Sequence, residues 1–567
     1  MLDLRVSILL VSLAIFLTWP LSVSADPDII TAKAKKFVQA HEAKFRPLEI
    51  EGNLAWWEAN TSGKDSDYEK KEKIQNKLDE ALADKNAFNE LKSLMEKPND
   101  IDDANTRRCI KLLYLAYLEK QVDTDLLKKI VSKANAVEKA FNNYRAKVEG
   151  KEMTDSQVRQ ALKDSTNSEE RRTVWEASKG VGAVVEKDLH ELVLLRNEAA
   201  KKLGFKNYHA LQLYLNEQNG DDLIALFDDL DTLTREPFRQ AKAEMDKKLA
   251  ANCKIAVDDL MPWHYHDPFF QETPAVFAAD LDQPFKKADL LKMCKDFYKG
   301  IDLPIDKVLE RSDMYEKKGK SPHAFCTDIT RDGTDVRVLA NIVGNAYWAS
   351  TLLHEFGHSV YSSMNIPDSL PYTLRMESHI LTTEGVAMMF ERVAKRQAFL
   401  DKMGIAVDDG AAFDASGAKS LRYDLLIFSR WCQVMLRFEK SMYENPEQDL
   451  NKLWWDLVEK YQMVKRPPKR NAPDYASKIH IVSAPVYYHN YMMGQLFASQ
   501  LHHAIARDVY KEKDPDKVVY VGNKEVGAFM KKRVFDPGRS LSWNDLTKHA
   551  TGELLNPKAF AEDFKSK

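Results

Sequence analysis

The sequence predicts a mainly α protein, two helical subdomains flanking a cleft, with a few short strands close to one histidine-bearing helix. Three observations predict it. From Ile29 to about Leu213, charged and apolar residues interleave at three- and four-residue spacing, as in Leu112 to Leu118 and Leu189 to Ala200. That is the period of an amphipathic helix. Glycine and proline number only 21 each, so chain breakers are sparse. A chain of 567 residues exceeds what one compact core usually holds, which favours two subdomains.

Residues 1–25 read as a secretory signal. Arg5 precedes an apolar run from Val6 to Leu17, and Val23-Ser24-Ala25 offers small residues for cleavage. The run is short for a membrane span, and no cysteine follows it to carry a lipid. The expected location is therefore exported, periplasmic or extracellular. Residues 26–567 then form one helical domain, divided at roughly 26–215 and 216–567. Turn signals fall at Pro98-Asn99-Asp100, Asn219-Gly220-Asp221 and Met261-Pro262-Trp263. The charge run Glu69 to Lys73 reads as a solvated helix face. Trp263 to Pro268, rich in aromatics and histidine, reads as a packed loop with exposed histidines, with lining of a cleft as the alternative. Glu316 to Ser321 is expected at the surface.

Strand signals are few. Val336 to Ile342 is the best, fed by a turn at Gly333, and a short pairing with Ile479 to Ser483 is considered. The apolar stretch Ile481 to Leu501 contains His489, Asn490 and Gln495, so no later membrane span is expected.

Lys and Arg total 83 against 86 Asp and Glu, a net charge of −3. Such balance gives no reason to expect a nucleic acid or an anionic membrane as partner. The five cysteines form no C-x-x-C, and an odd number leaves at least one thiol unpaired. Cys294–Cys326 is the one pairing considered.

The chemistry centres on Thr351 to Tyr361, which contains H-E-x-x-H as His354, Glu355 and His358. Positions i and i+4 share a helix face, so both imidazoles can point at one ion. Zinc accepts neutral imidazole and prefers a tetrahedral site. Glu355, beside the first ligand, can serve a water as base without ligating the metal. A structural helix with two partly buried histidines satisfies the same spacing. Gly357 costs that helix about 1 kcal/mol relative to alanine, which close approach by a substrate or a neighbouring backbone would explain.

A catalytic zinc usually takes three protein ligands. Glu377, Glu384 and Glu391 lie downstream, and Thr382 to Glu391 reads as a helix with apolar filling. Glu384 is the preferred third ligand and Glu377 the reserve. Further on, Lys478, His480, Tyr487, Tyr488 and Tyr491 supply donors for an oxyanion and a cation for an anionic substrate end.

With these residues assembled, the chain resembles the angiotensin-converting-enzyme family of zinc peptidyl-dipeptidases, and more broadly the group that includes thimet oligopeptidase and bacterial oligoendopeptidases. The resemblance rests on the His354 to His358 helix and on Leu370-Pro371 with Arg375 leading to Glu384. It rests also on His323-Ala324 and on Lys478-x-His480-Ile481 followed by Tyr488-x-x-Tyr491. It implies a deep cleft roofed by N-terminal helices and a secreted peptidase of short peptides, releasing C-terminal dipeptides. An endo-acting oligopeptidase is the nearer alternative, a non-catalytic helical zinc-binding protein the remoter one. By resemblance, His354, His358 and Glu384 bind Zn2+, Glu355 is base and then acid, and His480 and Tyr491 stabilise the oxyanion. Lys478 and Tyr488 take the substrate's C-terminal carboxylate, with Tyr487 a rival for Tyr488, and His323 and Ala324 hold the peptide backbone. His489 and Asn490 stand where converting enzyme has a chloride-binding arginine, so chloride activation does not carry over. Met388 replaces an expected acid, and Glu391 is its candidate substitute behind a zinc-bound histidine. The glutamine of the family's carboxylate clamp has no assigned position; Trp263 to His266 occupies the region expected for it.

Overall fold

The computed structural model describes residues 27–274, 276, 280–321 and 323–564. The predicted signal of residues 1–25 lies outside the described residues. Among these there are 21 α-helices and two two-stranded antiparallel sheets, so the fold is mainly α.

Local sequence explains where the long helices begin. Asn167 caps Ser168–Lys202 by accepting from the amides of Glu169 and Glu170, and Lys201 and Lys202 lie in its last turn. Caps and charges so placed satisfy orphan amides and oppose the helix dipole. Asn219, expected to mark a turn, caps Gly220–Cys253 in the same way.

The main core runs from Val137 to Phe564. A smaller core belongs to the first helices, where Phe45, Leu91, Ile110 and Leu113 pack together and against Leu374. Further contacts fasten these helices to the rest, among them an aromatic one and an ionic one. Trp56 packs on Phe325 with ring centroids 4.1 Å apart, beside Trp57. Arg108 forks onto Glu217, both side chains 9 % exposed.

At the centre, Ala346–Val360, Ile380–Glu391 and His489–Ile505 pack backbone against backbone. A Cβ at Gly357 would stand 2.8 Å from Ala387 Cα. One at Gly385 would stand 2.9 Å from the Gly494 carbonyl oxygen. Glycine here permits the approach that a side chain would block. Ile380–Glu391 is buried from Leu381 through Phe390, as an element surrounded by other helices must be.

Strands β1 (Ala146–Val148) and β2 (Lys151–Met153) form a hairpin whose turn residues Glu149 and Gly150 both have positive φ. Strands β3 (Phe325–Asp328) and β4 (Val336–Leu339) pair antiparallel, Cys326 opposite Val338, with Gly333 at φ 75° in the turn between them. The considered partner, Ile479–Ser483, is instead a short helix. Five apolar residues do not distinguish strand from helix by period, whereas a local hairpin closes on its own neighbour at less entropic cost.

Two further expectations are corrected. Pro262–His264 is a buried 3-10 turn, with His264 1 % exposed. His264 Nε2 meets Ser168 Oγ at 2.9 Å, its carbonyl accepts from Arg171, and Trp263 packs on Trp175. All five cysteines are free, Cys294 and Cys326 included. Cys294 is buried in the main core, while Cys326 sits on β3.

Candidate metal centre and substrate site

The helix Ala346–Val360 starts at Asn345, whose side chain accepts from the Trp348 amide. It carries His354 and His358 one turn apart, with their Nε2 atoms 3.1 Å from each other. The helix Ile380–Glu391 brings Glu384 Oε2 to 3.6 Å from His354 Nε2 and 4.0 Å from His358 Nε2. The three donor atoms lie within 4.8 Å of one another. Ligands at about 2.0–2.1 Å from a tetrahedral zinc stand about 3.3 Å apart. These donors are therefore arranged close to such a triangle, and their chemistry, two imidazoles and a carboxylate, suits the ion. Among the described residues no other group of three such donors converges.

The ring nitrogens facing away from the triangle are occupied. His354 Nδ1 lies 2.7 Å from Glu391 Oε2, and His358 Nδ1 lies 2.7 Å from Thr383 Oγ1. Such contacts fix ring orientation and present Nε2 to an ion. Glu377, the reserve ligand, is not in the cluster.

Electrostatics favour a cation at this point. Burial opposes charge on His354, yet Glu391, Glu384 and Glu355 outweigh it and raise its pKa to about 10. Burial holds His358 well below its ordinary value. Glu384 is raised, chiefly by burial, with Glu391 adding to it. Glu355, on the same helix, is pushed up to about 7 by burial and by Glu384 and Glu391, against the opposing effect of His354. Its Oε2 is buried with no protein partner. An orphaned buried carboxylate oxygen is costly unless something in the site answers it.

Three tyrosines cluster after a strained turn. Val486 has φ 57°, a strained value for a β-branched residue, and its amide is held by buried Glu439 at 2.9 Å. After the turn, Tyr488 packs edge to face on Tyr491 with ring centroids 5.3 Å apart. Tyr488 lies over Lys478, whose Nζ stands 5.3 Å from its ring centroid. Tyr487 and Tyr491 pack edge to face at 5.3 Å, and Glu384 raises the pKa of both after burial does. His480 stands between, 4.8 Å from Tyr488 and 6.2 Å from Tyr491 by ring centroids. Burial, with Lys478 and His323, lowers its pKa to about 3, and its Nδ1 is buried without a protein partner.

His323 is exposed and Ala324 half-buried at the start of β3. Only β4 pairs with β3 among the described residues, so its other edge faces away from the sheet.

A glutamine that no sequence motif marks lies against Lys478. Gln271 Oε1 accepts from Lys478 Nζ at 2.6 Å. The Lys478 cation thus has the Gln271 amide against it and the Tyr488 ring 5.3 Å away. Lys478 is 6 % exposed, and burial lowers its pKa to about 8. The sequence signal for Gln271 was slight: a turn at Asp267-Pro268, with nothing in the spacing to mark the glutamine.

No curated protein gave a match in sequence. The family model for angiotensin-converting enzyme, the M2 peptidases, matches residues 29–566.

Proposed function

Because the chain belongs to the angiotensin-converting-enzyme family and is a metallopeptidase, we propose that it is an exported, zinc-dependent peptidyl-dipeptidase acting on short peptides. The observation that carries this is the convergence of His354, His358 and Glu384 beside the unpartnered Glu355 oxygen. Zinc held by those three residues would supply Lewis acidity to the scissile carbonyl and to a neighbouring water.

The remaining steps belong to side chains. Glu355 takes a proton from the water and later delivers it to the leaving amine, acting as base and then acid. Tyr491 and His480 donate to the oxygen that gains negative charge. Lys478, Gln271 and Tyr488 receive the substrate's C-terminal carboxylate, which sets the cut a fixed distance from the chain end. His323 and Ala324 hold the peptide along the start of the β3 edge that does not pair with β4, in the manner of an added strand. Residues 26–215 and 216–567 act as the two subdomains of a deep cleft, the first roofing it and excluding folded proteins.

Mass spectrometry of products from a ladder of N-blocked peptides tests the reading. Uniform release of C-terminal dipeptides is expected. Scattered internal cuts would replace it with an endo-acting oligopeptidase on the same centre.

A further inference from the structure

The loop that carries Gln271 contains a buried carboxylate that no step above uses. Asp267 is 3 % exposed. Its Oδ1 accepts from the Phe269 amide at 2.8 Å. Its Oδ2 accepts from the amides of Gln271 at 3.1 Å and Glu272 at 3.3 Å. The loop needs such support, because His266 and Phe270 sit at φ 70° and 51°. Left-handed backbone at a bulky residue costs about 1–3 kcal/mol and persists only where its surroundings enforce it.

The carbonyls of the same loop are held from the opposite side. Gln462, 1 % exposed at the end of the helix Leu450–Gln462, donates from Nε2 to the Phe269 oxygen at 3.0 Å and the Phe270 oxygen at 2.7 Å. Asp267 therefore grips the amides and Gln462 the carbonyls of one short turn. The turn has two products. It brings Gln271 Oε1 against Lys478 Nζ, and it places the Phe269 ring between two buried ammonium groups, Lys179 at 3.2 Å and Lys478 at 5.3 Å from its centroid.

We propose that Asp267 and Gln462 are the positioning residues of the carboxylate clamp: together they hold the strained turn that aims the Gln271 amide at Lys478 and the substrate's C-terminus. The assignment rests on reading Lys478, Gln271 and Tyr488 as that clamp. A carboxylate suits the task because its two oxygens accept several amides at once, and charge-assisted hydrogen bonds are roughly twice as strong as neutral ones. Neither residue touches substrate. Gln462 acts through Gln271, and Asp267 acts through Gln271 with its charge also felt by Lys478.

Asp267→Asn keeps the shape and exchanges one acceptor oxygen for a donor facing two amides. Gln462→Met keeps the volume and removes both donations, and serves should the first variant fail to fold. Steady-state kinetics on one N-blocked tetrapeptide, with a free or an amidated C-terminus, read the outcome, with Lys478→Ala and Gln271→Ala alongside. For the free peptide, KM is expected to rise about tenfold in either positioning variant with kcat little changed, the scale of one lost charge-assisted bond. The amidated peptide should be unaffected. Gln462→Met combined with Gln271→Ala should be no worse than Gln271→Ala alone, because the two act in series. If Asp267→Asn and Gln462→Met shift both peptides equally while Lys478→Ala still distinguishes them, the positioning role is overturned and the clamp stands. If Lys478→Ala treats both peptides alike, the clamp reading fails and the positioning role goes with it.

Discussion

His354 Nδ1 and Glu391 Oε2 stand 2.7 Å apart, joining the H-E-x-x-H helix to the far end of the helix that carries Glu384. Both faces of the His354 ring are thus engaged, Nδ1 by a carboxylate and Nε2 by the donor triangle. Glu391→Gln should lower zinc affinity by about 10–100-fold, the usual cost of losing such a partner, while the fold stays intact. Competition with a chromogenic chelator measures it. Unchanged affinity would make the contact incidental.

Glu355→Gln should retain the metal and reduce kcat by about 10²–10⁴-fold, the range of general acid–base catalysis. The same group sets a pH dependence. A raised carboxylate pKa means that Glu355 carries a proton, and cannot act as base, below about 7. Activity should therefore fall with falling pH on an acid limb at or below that value, since a bound dication draws the limb lower. The residual activity of Glu355→Gln should lack that limb.

Gly357→Ala isolates the helix packing. Alanine favours a helix by about 1 kcal/mol, yet its Cβ would meet Ala387 Cα at 2.8 Å. Overpacking of this kind costs about 1–3 kcal/mol. The variant should melt below the wild type and lose zinc affinity, because the His-bearing helix must move away from Glu384. A higher melting temperature would contradict the packing argument.

The fastening of the N-terminal helices has its own pH signature. Burial opposes ionisation of Glu217, but Arg108 and then Lys111 outweigh it and bring its pKa from 4.5 to about 2. A depressed carboxylate pKa contributes stability above 4.5 that is lost as pH falls through about 2. Glu217→Gln should cost about 3 kcal/mol near neutrality by stranding Arg108. Denaturant titrations at several pH values should show the gap from wild type closing between those two values. A gap independent of pH would remove the ion pair from the explanation.

The sequence made the centre legible and the periphery of the site obscure, for physical reasons. His354 and His358 are read from spacing because a helix converts i and i+4 into one face. Glu384 is read because a carboxylate among apolar helix residues demands a partner. The mainly α fold follows from period alone. Gln271 could not be found that way, since irregular backbone with two left-handed residues carries no period. The packing of the Trp263 loop is expected from its sequence, whereas the burial of His264 is not, because it depends on Arg171 and Ser168, almost a hundred residues earlier. A strand pairing at Ile479–Ser483 could only be considered, because a five-residue run fits either period, and β4's partner, Phe325–Asp328, is half-buried throughout and shows no alternation.

The most direct measurement is a zinc titration of chelator-stripped protein, followed by hydrolysis of an N-blocked tetrapeptide and repeated on His354→Ala and Glu384→Ala. One equivalent of zinc per chain should restore cleavage in the wild type, with neither variant recovering at that stoichiometry. Full activity in the stripped protein, or recovery of Glu384→Ala at one equivalent, would contradict a metal centre built from His354, His358 and Glu384.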